Sequence, residues 1–205
     1  MNPDSQQLIE QASNTGDHFT ELRRMAEDLC SNNPSNATMR IGHQLFASEV
    51  HQARSLATYL IGLNSAESKQ CLNFLRTRVC KDKDWHVQEI LAQSFDRYCS
   101  DVGYKEALPM IKDWLSDSNP NVRRAVTEGL RIWTSRPYFK EHPIIAIRLL
   151  GNLRSDESEY VRKSVGNALR DISRKHKDLI RAELIKWNLN DQVILQTYKL
   201  ASKFL

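Results

Sequence analysis

Apolar residues recur three and four positions apart along most of the chain, the spacing that gathers them on one face of an α-helix. Three such stretches align with one another: WHVQEILAQSF at residues 85–95, NVRRAVTEGL at 121–130 and YVRKSVGNAL at 160–169. Their leading valines, Val87, Val122 and Val161, are 35 and 39 residues apart. A looser copy begins at Val193, 32 residues further on, and an earlier one at Ala53. Between the clear copies lie other apolar-periodic segments, residues 104–115 and 142–150, so the pattern predicts helices in pairs. Asn119 before Pro120 supplies a capping side chain and a proline at the first helical position, which marks one helix start. The first forty residues read as a helix over roughly 17–30 followed by a loop that includes SNNPSN at 31–36.

Helix pairs repeating at this period, with the signature D…VRxx(A/S)V, read as HEAT-like repeats whose core is shared between neighbours. The prediction is an all-α fold: a right-handed α-solenoid of about five helix pairs with a concave face. It is expected as one domain over 1–205, with a helical cap and loop over 1–40 and the clearest repeats over 82–187. Composition agrees. With 7 Gly and 6 Pro in 205 residues, the chain has too few turn residues for a β-sandwich or barrel, which needs a turn about every 8–12 residues. No apolar run approaches the ~18 residues of a membrane span, and the N-terminus carries no signal-peptide pattern. Cys30, Cys71, Cys80 and Cys99 show no CxxC and no zinc-like spacing with the histidines, so reduced, buried thiols and no metal are expected. A cytoplasmic protein follows, and a monomer is expected.

Charge adds an asymmetry that the net +4 conceals. Residues 1–118 carry 12 basic and 16 acidic side chains, whereas residues 119–187 carry 15 basic and 8 acidic. A basic second half suits a polyanionic partner, although a solvated basic surface explains it equally well. Stepping 100° per residue from Val122 places Val126, Gly129, Leu130 and Trp133 on the packed side and Arg124, Glu128 and Arg131 on an exposed stripe. The same construction puts Glu89, Gln93 and Trp85 on the stripe of the preceding copy, Lys163, Asn167, Arg170 and Arg174 on that of the following one, and Tyr59 on the earliest. Arg123 and Arg162, directly after the core valines, are expected to be structural, reaching the acidic loop before a neighbouring helix. Trp85 and Glu89 are neighbours at i, i+4, and so are Arg124 and Glu128. An exposed Glu–Arg pair is by itself usually a solvated ion pair, and a surface Trp can plug a neighbouring helix.

The runs WHVQE at 85–89, PNVRRAVTEGLRIWTS at 120–135 and YVRKSVGNALRDI at 160–172 together resemble the bacterial HEAT-repeat alkylpurine DNA glycosylases. The likeness is drawn to the AlkC branch, with AlkD more distant. It is strong over about residues 80–187 and a matter of pattern in the N-terminal third. The resemblance implies DNA repair: excision of cationic N3- or N7-alkylated purines such as 3-methyladenine from double-stranded DNA, without a cofactor. It carries the family's aromatic–carboxylate pair onto Trp85 and Glu89, and the Arg–Glu pair of the AlkC branch onto Arg124 and Glu128. Asn167 departs from AlkD, which has a Trp there.

The chemistry suits these residues. Alkylation makes the base a good leaving group, so the remaining need is to stabilise an oxocarbenium-like sugar and to direct a water at it. Glu89 would do this with Glu128 and Arg124 assisting. Trp85 would stack on the cationic base or sugar. Gln93, Arg131, Lys163, Asn167, Arg170, Arg174 and Tyr59 would line the DNA-binding surface, the cations meeting phosphates. Two other readings stay open: a non-catalytic DNA-binding paralogue, and a protein-interaction scaffold.

Overall fold

The computed structural model describes residues 5–16 and 18–205. Met1–Pro3, Asp4 and Asp17, which belong to the expected N-terminal cap, lie outside the described residues. Among the described residues every regular element is helical, as the spacing predicts. The chain divides into two compact units, residues 1–102 and 103–205.

In the first unit, α1 (Ser5–Asn14) and α2 (Phe19–Asn32) precede α3 (Ser35–Phe46) and α4 (His51–Leu63). Then come α5 (Lys69–Thr77), a 3-10 turn at Val79–Lys81 and α6 (Trp85–Val102). The centre is α4, which buries Ala53 and every residue from Ser55 to Gly62 and packs against α1, α2, α3, α5 and α6. Gly62 lets α4 and α6 approach closely, since a Cβ there would collide with the side chain of Ser94.

The second unit holds α7 (Leu108–Leu115), α8 (Pro120–Gly129), a 3-10 turn at Trp133–Ser135, α9 (Pro137–Glu141) and α10 (Pro143–Gly151). It closes with α11 (Glu159–Ser173), α12 (Lys177–Leu184) and α13 (Gln192–Ala201). Proline stands at the start of α8, α9 and α10, where its missing N–H costs nothing. The Asn119 side chain caps α8 by accepting from the Asn121 N–H at 2.8 Å. Helices α8, α11 and α13 lie side by side, with α7 against α8 and α10 and α12 against α11. At the α11–α13 contact, Gly166 faces Leu200 and the Thr197 carbonyl with no room for a side chain. Trp114, Trp133 and Phe139 are fully buried, and the last two meet edge to face at 4.9 Å.

Three boundaries depart from the sequence expectation. The stretch read as a single helix and a loop contains α1, α2 and the start of α3, with the break confined to Asn33 and Pro34. The five expected pairs (α3/α4, α5/α6, α7/α8, α10/α11 and α12/α13) are therefore preceded by two further helices, α1 and α2, both packed on α3 and α4. Residues 104–107 form turns rather than the first turn of α7. Helix α8 ends at Gly129, so Arg131 and Trp133 lie past its end, and the helical projection from Val122 no longer governs them.

One interaction recurs at the start of the second helices. Arg54, the residue after Ala53, donates through Nη1 to the carbonyls of Ser48 and Glu49 at 3.1 and 2.9 Å and through Nε to Asp82 at 2.6 Å. Arg123, after Val122, repeats it: Nη1 reaches the carbonyls of Asp117 and Ser118 at 2.7 and 3.1 Å, and Nε and Nη2 grip Asp156, both at 2.7 Å. Arg162 donates to the carbonyls of Asp156 and Glu157 at 2.7 and 3.2 Å and to Gln196 at 3.1 Å. Gln88 holds the carbonyls of Val79 and Asp82. The structural role expected for Arg123 and Arg162 is thus the observed one. Because the Arg123 and Asp156 side chains are only 7% and 5% exposed, deleting one partner strands a buried charge. Arg123→Ala should cost about 3–5 kcal/mol and lower Tm by roughly 10 °C in thermal melts. Breaking the exposed Lys163–Glu159 pair with Lys163→Ala should cost less than about 1 kcal/mol. Equal effects would contradict this assignment.

Candidate nucleic-acid interface

Helix α6 begins at Trp85, preceded by Asp84, whose carboxylate accepts the His86 N–H at 2.8 Å. From that start, Trp85, Glu89 and Gln93 recur every four residues and share one face. Trp85 is 60% exposed. Its indole lies 3.7 Å from the His86 ring, tilted by 30°, and meets the edge of Phe19 at 6.0 Å. The indole is thereby held in place and still presents aromatic surface to solvent. Glu89 is half-buried.

Further along the same face, Gln93 Oε1 accepts two hydrogen bonds, from the Tyr59 hydroxyl at 2.8 Å and from Arg23 Nη2 at 2.5 Å. The Arg23 guanidinium also lies 5.7 Å over the Tyr59 ring. Burial raises the Tyr59 phenol above its ordinary pKa, against the opposing pull of Arg23, so Tyr59 remains an O–H donor at neutral pH. Tyr59 was expected on an exposed stripe; it is 5% exposed, because α2 and α6 both pack on α4. The sequence reading missed Phe19 and Arg23 altogether. Both come from α2, whose only sequence signal was its apolar spacing.

In the second unit the expected stripe is largely consumed by its own interactions. Arg124, expected to be exposed, is buried at 9%, because the Tyr160 ring from the start of α11 lies 4.3 Å from its guanidinium. Glu128 is half-buried and 3.8 Å from Arg131. Arg131 donates through Nε to Asp171 at 3.0 Å. Asp171 also holds Arg170 at 3.1 Å, and Arg170 donates to Asn167 at 3.0 Å. One carboxylate absent from the sequence-derived site therefore ties down two of its cations. Lys163 stays exposed beside Glu159 at 2.8 Å, and Arg174 is exposed with its guanidinium 4.7 Å over Phe204. Thus Tyr59 and Gln93 meet in the first unit, Glu128 with Arg131 and Asn167 with Arg170 in the second, while Lys163 and Arg174 offer charge to solvent.

The model of the DNA alkylation repair enzyme family matches residues 5–192. The chain belongs to that family. It is 46% identical to AlkD2 from Streptococcus mutans, with a TM-score of 0.95 over 98% of this chain and 99% of that one. A second Streptococcus mutans structure, smu.31 from strain UA159, gives 46% identity and a TM-score of 0.93 over 98% and 100%. The Pseudomonas fluorescens alkylpurine DNA glycosylase AlkC, solved on DNA containing an abasic-site analogue, shares 19% identity. Its TM-score is 0.53 over 91% of this chain and 62% of AlkC, a likeness of fold. AlkD2 thus shares more of this sequence than AlkC does. Among curated proteins, YhaZ of Bacillus subtilis strain 168 is 42% identical over 78 residues, 36% of this chain and 22% of YhaZ. The match spans about a fifth of that protein's length. Among the described residues no helix is long and apolar enough to cross a membrane.

The burial of Arg124 beneath Tyr160 is directly testable. In a double-mutant cycle on stability, Arg124→Ala and Tyr160→Ala should couple by about 1 kcal/mol. Strictly additive effects would show that the stacking contributes nothing.

Proposed function

We propose that this family member is a DNA glycosylase that releases cationic N3- or N7-alkylated purines, such as 3-methyladenine, from double-stranded DNA. The observation that carries the reading is the exposed Trp85 beside the half-buried Glu89 on one face of α6. An indole fixed from behind by His86 and Phe19 is preorganised to stack on a flat cationic base or to face a cationic sugar. A carboxylate one helical turn away stabilises the oxocarbenium-like sugar as the C1′–N bond breaks. The bonding electrons leave with the base, whose positive charge they neutralise. Glu89 then orients the attacking water and takes its proton.

Gln93 is a positioning residue, held by Tyr59 and Arg23. Of the stripe in the second unit, Lys163 and Arg174 are exposed cations suited to backbone phosphates, with Arg131, Asn167 and Arg170 contributing polar surface. Of the pair expected to assist, Glu128 is half-buried beside Arg131, and Arg124, buried beneath Tyr160, is a structural residue. The reading calls for no cofactor and a monomeric protein acting on bacterial cytoplasmic DNA.

A second reading has a specific observation in its favour. Arg124, expected to assist catalysis, is buried beneath the Tyr160 ring. That suits a member of the family that binds DNA without base excision. Release of 3-methyladenine from a methylated duplex separates the two. The glycosylase reading expects release by the wild-type chain and a rate at least about 100-fold lower for Glu89→Gln. Duplex binding without release would support the second reading. Loss of neither activity nor binding in Glu89→Gln would remove Glu89 from the chemistry.

A further inference from the structure

Behind Trp85, the first unit brings two imidazoles and a carboxylate together. His51 is the first residue of α4, Asp84 immediately precedes α6 and His86 is the second residue of α6. One candidate ligand atom from each lies within 4.8 Å of the other two. The imidazoles stack with centroids 4.9 Å apart and planes 23° apart. Asp84 Oδ1 accepts the His86 backbone N–H at 2.8 Å and lies 2.9 Å from His86 Nδ1. Its other oxygen, Oδ2, faces His51 Nδ1 at 3.9 Å.

Capping of α6 accounts for Asp84 Oδ1, and the His51 ring stands at ion-pair distance from Oδ2. A separation of 3.9 Å is too long for a hydrogen bond. It is close to the spacing of two ligands on one ion: with bonds of 2.0–2.2 Å, tetrahedral ligands sit about 3.3–3.6 Å apart. The side chains are 29%, 24% and 13% exposed for His51, Asp84 and His86, while the His51 Nδ1 atom itself is buried. A shallow recess lined by Phe19, His51, Ser55 and His86 adjoins the cluster.

We propose that His51, Asp84 and His86 bind one divalent transition-metal ion of the zinc type. Two neutral imidazole nitrogens and one carboxylate oxygen form a donor set suited to Zn2+, Ni2+ or Co2+ rather than to Mg2+ or Ca2+, which favour all-oxygen sites. Three protein ligands leave a position open to water or to an anionic oxygen. The site stands apart from Glu89 chemistry, and its test does not depend on base release.

The experiment uses the untagged full chain titrated with Zn2+ alone by calorimetry, with Co2+ d–d absorption as the report on ligand geometry. Binding of one ion per chain is expected, and Tm should rise with added Zn2+. His51→Ala and Asp84→Asn should each weaken binding by about tenfold or more and abolish the Tm rise. Asparagine retains the helix-capping oxygen, so Asp84→Asn keeps the fold while removing the charged ligand. Absence of saturable binding at micromolar Zn2+ would overturn the proposal. So would wild-type affinity in the folded variants, which would place the ion elsewhere.

Discussion

Asp82 and Asp156 each hold three partners at once. The side chain of Asp156 takes both arms of Arg123, its Oδ1 also accepts the Ser158 N–H, and its main-chain carbonyl accepts from Arg162. Asp82 does the same with Arg54, the Asp84 N–H and Gln88. These carboxylates are 5% exposed and would be intolerable without their cations. Each arginine also binds the carbonyls of the loop before its own helix, so one side chain fixes where that helix starts and how it is offset from the next. The starts of α4 and α8, and the offset of each from the loop before the next helix, follow from that registration.

With the helices so fixed, the two units use their polar faces differently. On α6 the face carrying Trp85, Glu89 and Gln93 keeps a large aromatic surface in solvent. Support comes from α2 through Phe19 and Arg23, and from α4 through Tyr59. In the second unit, Asp171 and Tyr160 draw inward side chains that a simple helix projection points to solvent. Of the stripe's own cations, Lys163 and Arg174 stay exposed, Lys163 beside Glu159. A helix projection therefore overstates the positive charge that the stripe itself presents.

The helix pairs, the core valines, the Asn119 cap and the roles of Arg123 and Arg162 were legible because each rests on a local rule: period, capping chemistry or a position next to a core residue. Arg124 was misplaced because its partner, Tyr160, begins a different helix. Arg131 keeps the exposure the projection gives it, at 42%, but it lies past the end of α8 and its partner Asp171, 40 residues away, has no local signal. Helix α1 was missed, the expected helix over roughly 17–30 being α2, because α1 offers only Leu8 and Ala12 as buried residues, a weak signal in a polar stretch. The cluster of His51, Asp84 and His86 obeys no sequence spacing rule; the packing of α4 against α6 creates it. Family membership was legible from runs of several residues, which constrain far more than periodicity does.

The claim that α6 presents the DNA-facing chemistry can be read from Trp85 itself. Trp114 and Trp133 are fully buried and Trp187 is 6% exposed, against 60% for Trp85, so quenching by acrylamide reports mainly on Trp85. Saturation with a duplex containing an abasic site should sharply reduce that quenching, and Trp85→Phe should remove the change while leaving the buried tryptophans unaffected. Quenching of Trp85 that is undiminished when the duplex is fully bound would contradict the account.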